Sequence, residues 1–293
     1  MSAASSLLGS LIDYAGLFPP AQLGMRDAVR NYAAYLASPH RPLLGRFVVP
    51  LARLNEFETA LHALPAEQQV GWHLSVLAGG NPAADAGTIA AFNARQANAR
   101  IVSVETKATS SSDVTWLTAS FTNEIEVWVE LPPATLDLPA LLERIRAAGR
   151  GAKLRTGGVT ADAFPTPAEI ARFLRECHRL SVPMKATAGL HHPLRGEYRL
   201  TYEAGSPRTR MFGFLNLLLA AALIHVGGTD AEAIALLDDS DSTHFTATPD
   251  ALAWRNHRFT AAQLATVRRT VCLSFGSCSF TEPIEGLQEL RWI

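Results

Sequence analysis

Ala152-Lys153-Leu154-Arg155-Thr156-Gly157-Gly158 and Pro183-Met184-Lys185-Ala186-Thr187-Ala188-Gly189 share one design: each is a short β-rich run that ends in small or polar residues. Between them lies a stretch of helical period. Pro167 suits its first turn, and Glu169 places a negative charge beside the N-terminal end of the helix dipole. A strand, a helix and a strand in this order form a βαβ unit, whose strands must run parallel. Working outward, the same alternation recurs. Strands are expected at Leu44–Pro50, Gly71–Leu77, Arg100–Lys107, Ile125–Leu131, Ala152–Arg155, Pro183–Ala188 and Leu273–Gly276. Ile12–Phe18, ahead of a helix over Asp27–Leu36, supplies an eighth, and Gly149 stops the helix that runs through Arg144–Ala148. Eight βα units in a chain of 293 residues predict an α/β fold of one domain, a (β/α)₈ TIM-type barrel.

The rhythm breaks once. Residues 189–270 separate the last two strands by more than one helix requires, so a long insertion between them, a lid-like segment on the barrel, is expected. It contains an apolar helix, the acidic Asp238-Asp239-Ser240-Asp241 turn and an aromatic-basic stretch through Trp254 and His257.

Composition narrows the function. A formal net charge of −1 and a pI near 6.8 supply no basic field for nucleic acid and no polybasic patch for anionic lipid. The longest apolar run, Met211–Val226, is too short to span a bilayer and carries Asn216, so it reads as a core helix. No positive charge precedes the first apolar stretch, which argues against a secretory signal. Cys177, Cys272 and Cys278 are odd in number and far apart, forming neither a disulfide framework nor a spaced metal motif. A cytoplasmic protein, a homo-oligomer at most, with no metal and no organic cofactor, is the expectation.

Lysine usage is the sharpest signal. Of 26 Lys and Arg residues only Lys107, Lys153 and Lys185 are lysine, and each stands near the C-terminal end of an expected parallel strand. That rim is where barrels of this kind assemble active sites from several strands. Arginine cannot replace lysine where an amine must lose its proton. Two ammonium groups on neighbouring strands repel, and with desolvation this would lower the pKa of one and make it nucleophilic toward a carbonyl. The alternative is structural: three buried lysines paired with carboxylates such as Glu105 and Glu130.

These motifs resemble the deoxyribose-phosphate aldolase family, class I aldolases on a (β/α)₈ barrel. Lys153-Leu154-Arg155-Thr156-Gly157 is similar to the family's Lys-Thr-Ser-Thr-Gly strand end, and Met184-Lys185-Ala186-Thr187-Ala188-Gly189 to its Val-Lys-Ala-Ser-Gly-Gly strand. Phe275-Gly276-Ser277-Cys278-Ser279 is like its last-strand Gly-Thr-Ser-Ser turn, and Ile12-Asp13-Tyr14 like its opening Ile-Asp-His. The resemblance implies Lys153 as Schiff-base nucleophile, Lys185 as the neighbouring cation and Glu105 as the carboxylate that assists proton transfer. Lys107, Arg155, Thr156, Gly157, Gly189, His191, His192, Gly276, Ser277 and Asp13 complete the expected substrate site. The family's Gly-Gly-Ile-Arg is replaced here by Ala188-Gly189-Leu190-His191-His192-Pro193, so the phosphate cradle is altered, and Arg155 suits a carboxylate as well as a phosphate.

The expected function is therefore a Schiff-base-forming aldolase or lyase acting on a small carbonyl substrate. Two rivals stand beside it: a barrel enzyme that uses its amines and Arg155 only as an anion site, like a phosphoribosyltransferase or decarboxylase, and a non-catalytic ligand-binding barrel. His191 and His192 as metal ligands with Glu105, and Cys278 as a thiolate nucleophile, carry less weight, because adjacent histidines rarely aim at one ion and no sequence-local base marks the cysteine.

Overall fold

The computed structural model describes residues 2–293. Eight parallel strands close into a barrel: β1 (Ile12–Tyr14), β2 (Leu44–Pro50), β3 (Trp72–Leu77), β4 (Ala99–Lys107), β5 (Glu126–Leu131), β6 (Gly151–Arg155), β7 (Met184–Thr187) and, far along the chain, β13 (Cys272–Ser277). β13 closes the ring between β7 and β1. The (β/α)₈ expectation from the strand rhythm is met, the opening strand being shorter than its Ile12–Phe18 segment.

Helix α1 (Ala3–Leu8) precedes β1, and α2 (Met25–Leu36), α3 (Leu54–His62), α4 (Pro82–Arg95), α5 (Ser111–Ala119), α6 (Leu138–Ala147) and α7 (Pro167–Leu180) follow β1 to β6 in turn. Their ends obey local chemistry. α7 starts with a capping box, in which the Thr166 hydroxyl accepts from the Glu169 N–H and the Glu169 carboxylate accepts from the Thr166 N–H, with Pro167 in the first turn. Gly149, with φ of 64°, ends the run after α6.

The insertion divides into pieces with different roles. β8 (Gly196–Arg199) and β9 (Arg208–Met211) form an antiparallel hairpin at the barrel mouth. α8 (Phe214–His225) is not lid at all. It is apolar on every side, so it must be covered on every side, and it takes the position of the barrel's own outer helix after β7, with α9 (Asp230–Asp238) packed against both it and α7. Asn216, buried in this helix, is fully paired: its amide donates to the carbonyls of Leu236 and Asp239, and its oxygen accepts from Arg195 N–H. The small sheet of β10 (Phe245–Ala247), β11 (Ala251–Trp254) and β12 (His257–Thr260) then leads through α10 (Ala261–Thr270) to β13 and packs beside α1, away from the mouth. α11 (Thr281–Glu289) completes the chain's helices. The expectation of one lid-like segment over 189–270 is thus corrected to a mouth hairpin, a core helix and a flanking sheet.

The strand pleat sorts side chains between two environments. Val104, Val127, Val129, Leu154 and Ala186 are buried against the helices. The alternate positions, Ser103 and Glu105 on β4, Glu130 on β5, Lys153 on β6, Lys185 on β7 and Asp13 on β1, meet inside the barrel, which is therefore polar where its wall is apolar. No helix among the described residues is long and apolar enough to cross a membrane.

Candidate active site

Register builds the site. Lys107 on β4 stands opposite Glu130 on β5, Glu130 opposite Lys153 on β6, and Lys153 opposite Lys185 on β7. Because adjacent strands lie about 4.8 Å apart, four consecutive strands present one row of charged groups at the C-terminal end of the barrel. Glu105, one pleat below Lys107, reaches across the lumen to both amines of that row.

Lys185 Nζ donates to Asp13 Oδ2 at 2.6 Å and to Glu105 Oε1 at 2.8 Å. Lys153 Nζ lies 2.8 Å from Glu105 Oε2 and 2.8 Å from Glu130 Oε2. Asp13 and Glu105 are fixed from behind. Ser75 donates to Glu105 Oε1, Ser103 donates to Ser75, Ser274 donates to Asp13 Oδ2, and Arg46 N–H donates to Asp13 Oδ1. The last contact explains Gly45: a Cβ there would fall 2.3 Å from Asp13 Oδ1 and 3.1 Å from the Ile12 carbonyl, so β2 approaches the carboxylate only as glycine.

The two amines differ in access. Lys185 is 1% exposed and sealed beneath the site, whereas Lys153 borders a cavity of about 360 Å³ that opens at the barrel mouth. Glu130 bridges two amines of the row, with Oε2 2.8 Å from Lys153 Nζ and Oε1 3.4 Å from Lys107 Nζ.

Electrostatics correct the expectation of a neutral amine. Burial by itself would push Lys153 down, but Glu105 and Glu130 outweigh it and hold the ammonium above its ordinary range; Asp13 and Glu105 do the same for Lys185. Burial would likewise raise Glu105, yet the two ammonium groups hold it well below the usual carboxylate range, and Lys153 lowers Glu130 in the same way. Three carboxylates thus separate two lysines that would otherwise repel, and both lysines rest charged. The pairing with Glu105 and Glu130 that the structural alternative required is present.

Other expected residues divide between wall and scaffold. Lys107, Arg155, Gly189, His191, His192 and Gly276 line the cavity with Glu105 and Lys153. Asp13 does not; it is the buried partner of Lys185. Thr156 is fully buried and its hydroxyl donates to the carbonyls of Thr187 and Ala188, tying β6 to the end of β7. Gly157 leaves room for the Phe164 ring, 2.5 Å from where a Cβ would stand, and Ser277 is buried, its hydroxyl accepting from Ser279 N–H. Thr156, Gly157 and Ser277 therefore shape the site from outside the cavity, and Asp13 does so from beneath it, inside the barrel.

His191 Nδ1 is 3.1 Å from Glu282 Oε2, and burial, which would lower its pKa, is outweighed by Cys278 and Glu282, which raise it to about 9. His192 stacks on Tyr198 with ring centroids 3.5 Å apart and is lowered by burial to about 4. The two imidazoles point to different partners, and no group of three or more His, Cys, Asp or Glu side chains among the described residues is arranged to hold a metal. Glu130, Arg199, Tyr202 and Glu282 were not among the expected site residues. Glu130 was expected only as a carboxylate pairing with the buried lysines; the other three arrive from the hairpin and the last helix with no local motif. No protein-family model, curated protein or solved structure matches this chain.

Proposed function

We propose that this protein is a class I lyase or aldolase that forms an imine between Lys153 and a small carbonyl substrate. The observation that carries the reading is the pair of amines themselves: one reaches the cavity, the other is locked behind it, and a carboxylate, Glu130, adjoins the accessible one. Because Lys153 rests as an ammonium, the first step is loss of its proton, and Glu130 Oε2 is the acceptor at hand. The free amine then attacks the carbonyl carbon, the resulting carbinolamine loses water, and the iminium nitrogen accepts the electron pair released as a C–C bond breaks, or supplies it in reverse. Lys185 keeps its charge throughout and stabilises the carboxylates as protons move. Arg155, Arg199 and Lys107 on the cavity wall suit a substrate with a carboxylate or phosphate end. The motif-level resemblance to deoxyribose-phosphate aldolases supports the same chemistry, and three unbridged cysteines accord with a reducing cytoplasm.

A second reading is favoured by one observation, the charged resting state of both amines: the site would act as a fixed cation for an acidic substrate, with no covalent step. Borohydride trapping separates the two. Incubation with small aldehydes, ketones and keto acids, then reduction and peptide mass mapping, should place a stable adduct on Lys153 and none on Lys153→Arg. Absence of any adduct, together with residual turnover of an acidic substrate by Lys153→Arg, selects the charge-only reading.

A further inference from the structure

On the cavity wall four side chains converge: His191 from the loop after β7, Tyr202 from the hairpin's connecting loop, Cys278 from just beyond β13 and Glu282 from α11. Cys278 Sγ lies 3.8 Å from His191 Nδ1 and 3.6 Å from the Tyr202 hydroxyl. Glu282 Oε2 takes the Tyr202 hydroxyl at 3.0 Å and His191 Nδ1 at 3.1 Å. The imine chemistry uses none of them. Cys177 and Cys272 are sealed in the core, where burial raises both thiols, the second to about 11. Cys278 alone borders the cavity.

We propose that Cys278 is a second nucleophile of the cavity, a covalent attachment site for small electrophiles that carry a negative group. Two features support it. His191, held in place by Glu282, sets its Nδ1 3.8 Å from the Cys278 sulfur, so an imidazole flanks the atom that attacks carbon. The wall also selects for charge: Lys107 and Lys153 are paired with Glu130 and Glu105, whereas Arg155 and Arg199 line the cavity outside any ion pair among the described residues. The chemical class is that of α-halo and unsaturated carboxylic acids. With an α-halo acid, the S–C bond forms as the carbon–halogen bond breaks, halide leaves with the electron pair, and the thiol proton passes to solvent. With an unsaturated acid, sulfur adds to the β-carbon and the proton returns to the α-carbon. Neither route needs an oxidant or reductant.

The site goes beyond the imine reading and stands independently of it. The test is alkylation of the native full-length protein at pH 7 with iodoacetate and, in parallel, iodoacetamide, followed by peptide mapping. One adduct at Cys278 is expected, with an iodoacetate-to-iodoacetamide rate ratio at least about tenfold above that of free cysteine, the size of effect that local charge exerts on encounter. Arg199→Gln, on the exposed hairpin, should lower the iodoacetate rate and leave the iodoacetamide rate unchanged, while His191→Gln should slow both. Borohydride trapping reads Lys153 and alkylation reads Cys278, so failure of imine trapping and failure of alkylation are separate results. An unlabelled Cys278, or a rate ratio equal to that of free cysteine, overturns the proposal.

Discussion

Neutralising Glu105 should cost the fold more than any other single conservative change in the barrel interior. Its two oxygens each lie 2.8 Å from a buried ammonium, and the residue is 5% exposed. Removing one partner of a buried ion pair costs about 3–5 kcal/mol, because the charge left behind stays desolvated. Glu105→Gln strips one carboxylate from two lysines at once, but Lys153 keeps Glu130 and Lys185 keeps Asp13, so the lower end, about 3 kcal/mol, is expected at pH 7. For a chain of 293 residues, with an unfolding entropy of about 2.1 cal/mol/K per residue, that is a fall in Tm of roughly 5 °C. Differential scanning calorimetry and urea unfolding both read it. The pH dependence adds a sign. The folded pKa of Glu105 is depressed, so its contribution is complete above the unfolded value near 4.3 and is lost as pH falls through the folded value. The gap between native and variant must therefore be full at pH 7 and shrink in strong acid. A Glu105→Gln protein within about 1 kcal/mol of native at pH 7, below the range for breaking a buried pair, would refute the shared-carboxylate account.

Three further outcomes follow from the same geometry. Both buried lysines have folded pKa values raised above the unfolded reference near 10.4, so their stabilisation is present below that pH and lost as pH climbs through the folded values; alkaline titration of stability should show a falling limb that is reduced in Lys185→Met. Gly189→Ala should destabilise by about 2 kcal/mol in chemical denaturation, since φ is 73° and the new Cβ would stand 3.2 Å from the Gly157 backbone and 3.0 Å from Phe164. Gly45→Ala should displace Asp13 and cost about 2–3 kcal/mol, an effect that a double variant with Asp13→Asn should show to be less than additive.

The fold was legible because a parallel barrel writes itself locally. Each strand must be apolar toward its helix, each helix must start and stop by capping chemistry, and their alternation allows few closed arrangements. The three lysines were legible for a similar reason: in a chain that otherwise uses arginine, an amine at a strand end stands out. What no local pattern could supply was the company those amines keep. Asp13 and Lys185 are hydrogen-bonded across 172 sequence positions, and Cys278 meets His191 across 87. A pKa depends on distances among such groups and on the water they exclude, so repulsion between neighbouring lysines, inferred from adjacency alone, gave way to attraction once three carboxylates were in place. The insertion shows the same limit. Its length was visible, but only packing decided that Phe214–His225 belongs to the barrel wall while Gly196–Met211 borders the mouth, because burial is a property of what surrounds a helix and not of the helix itself.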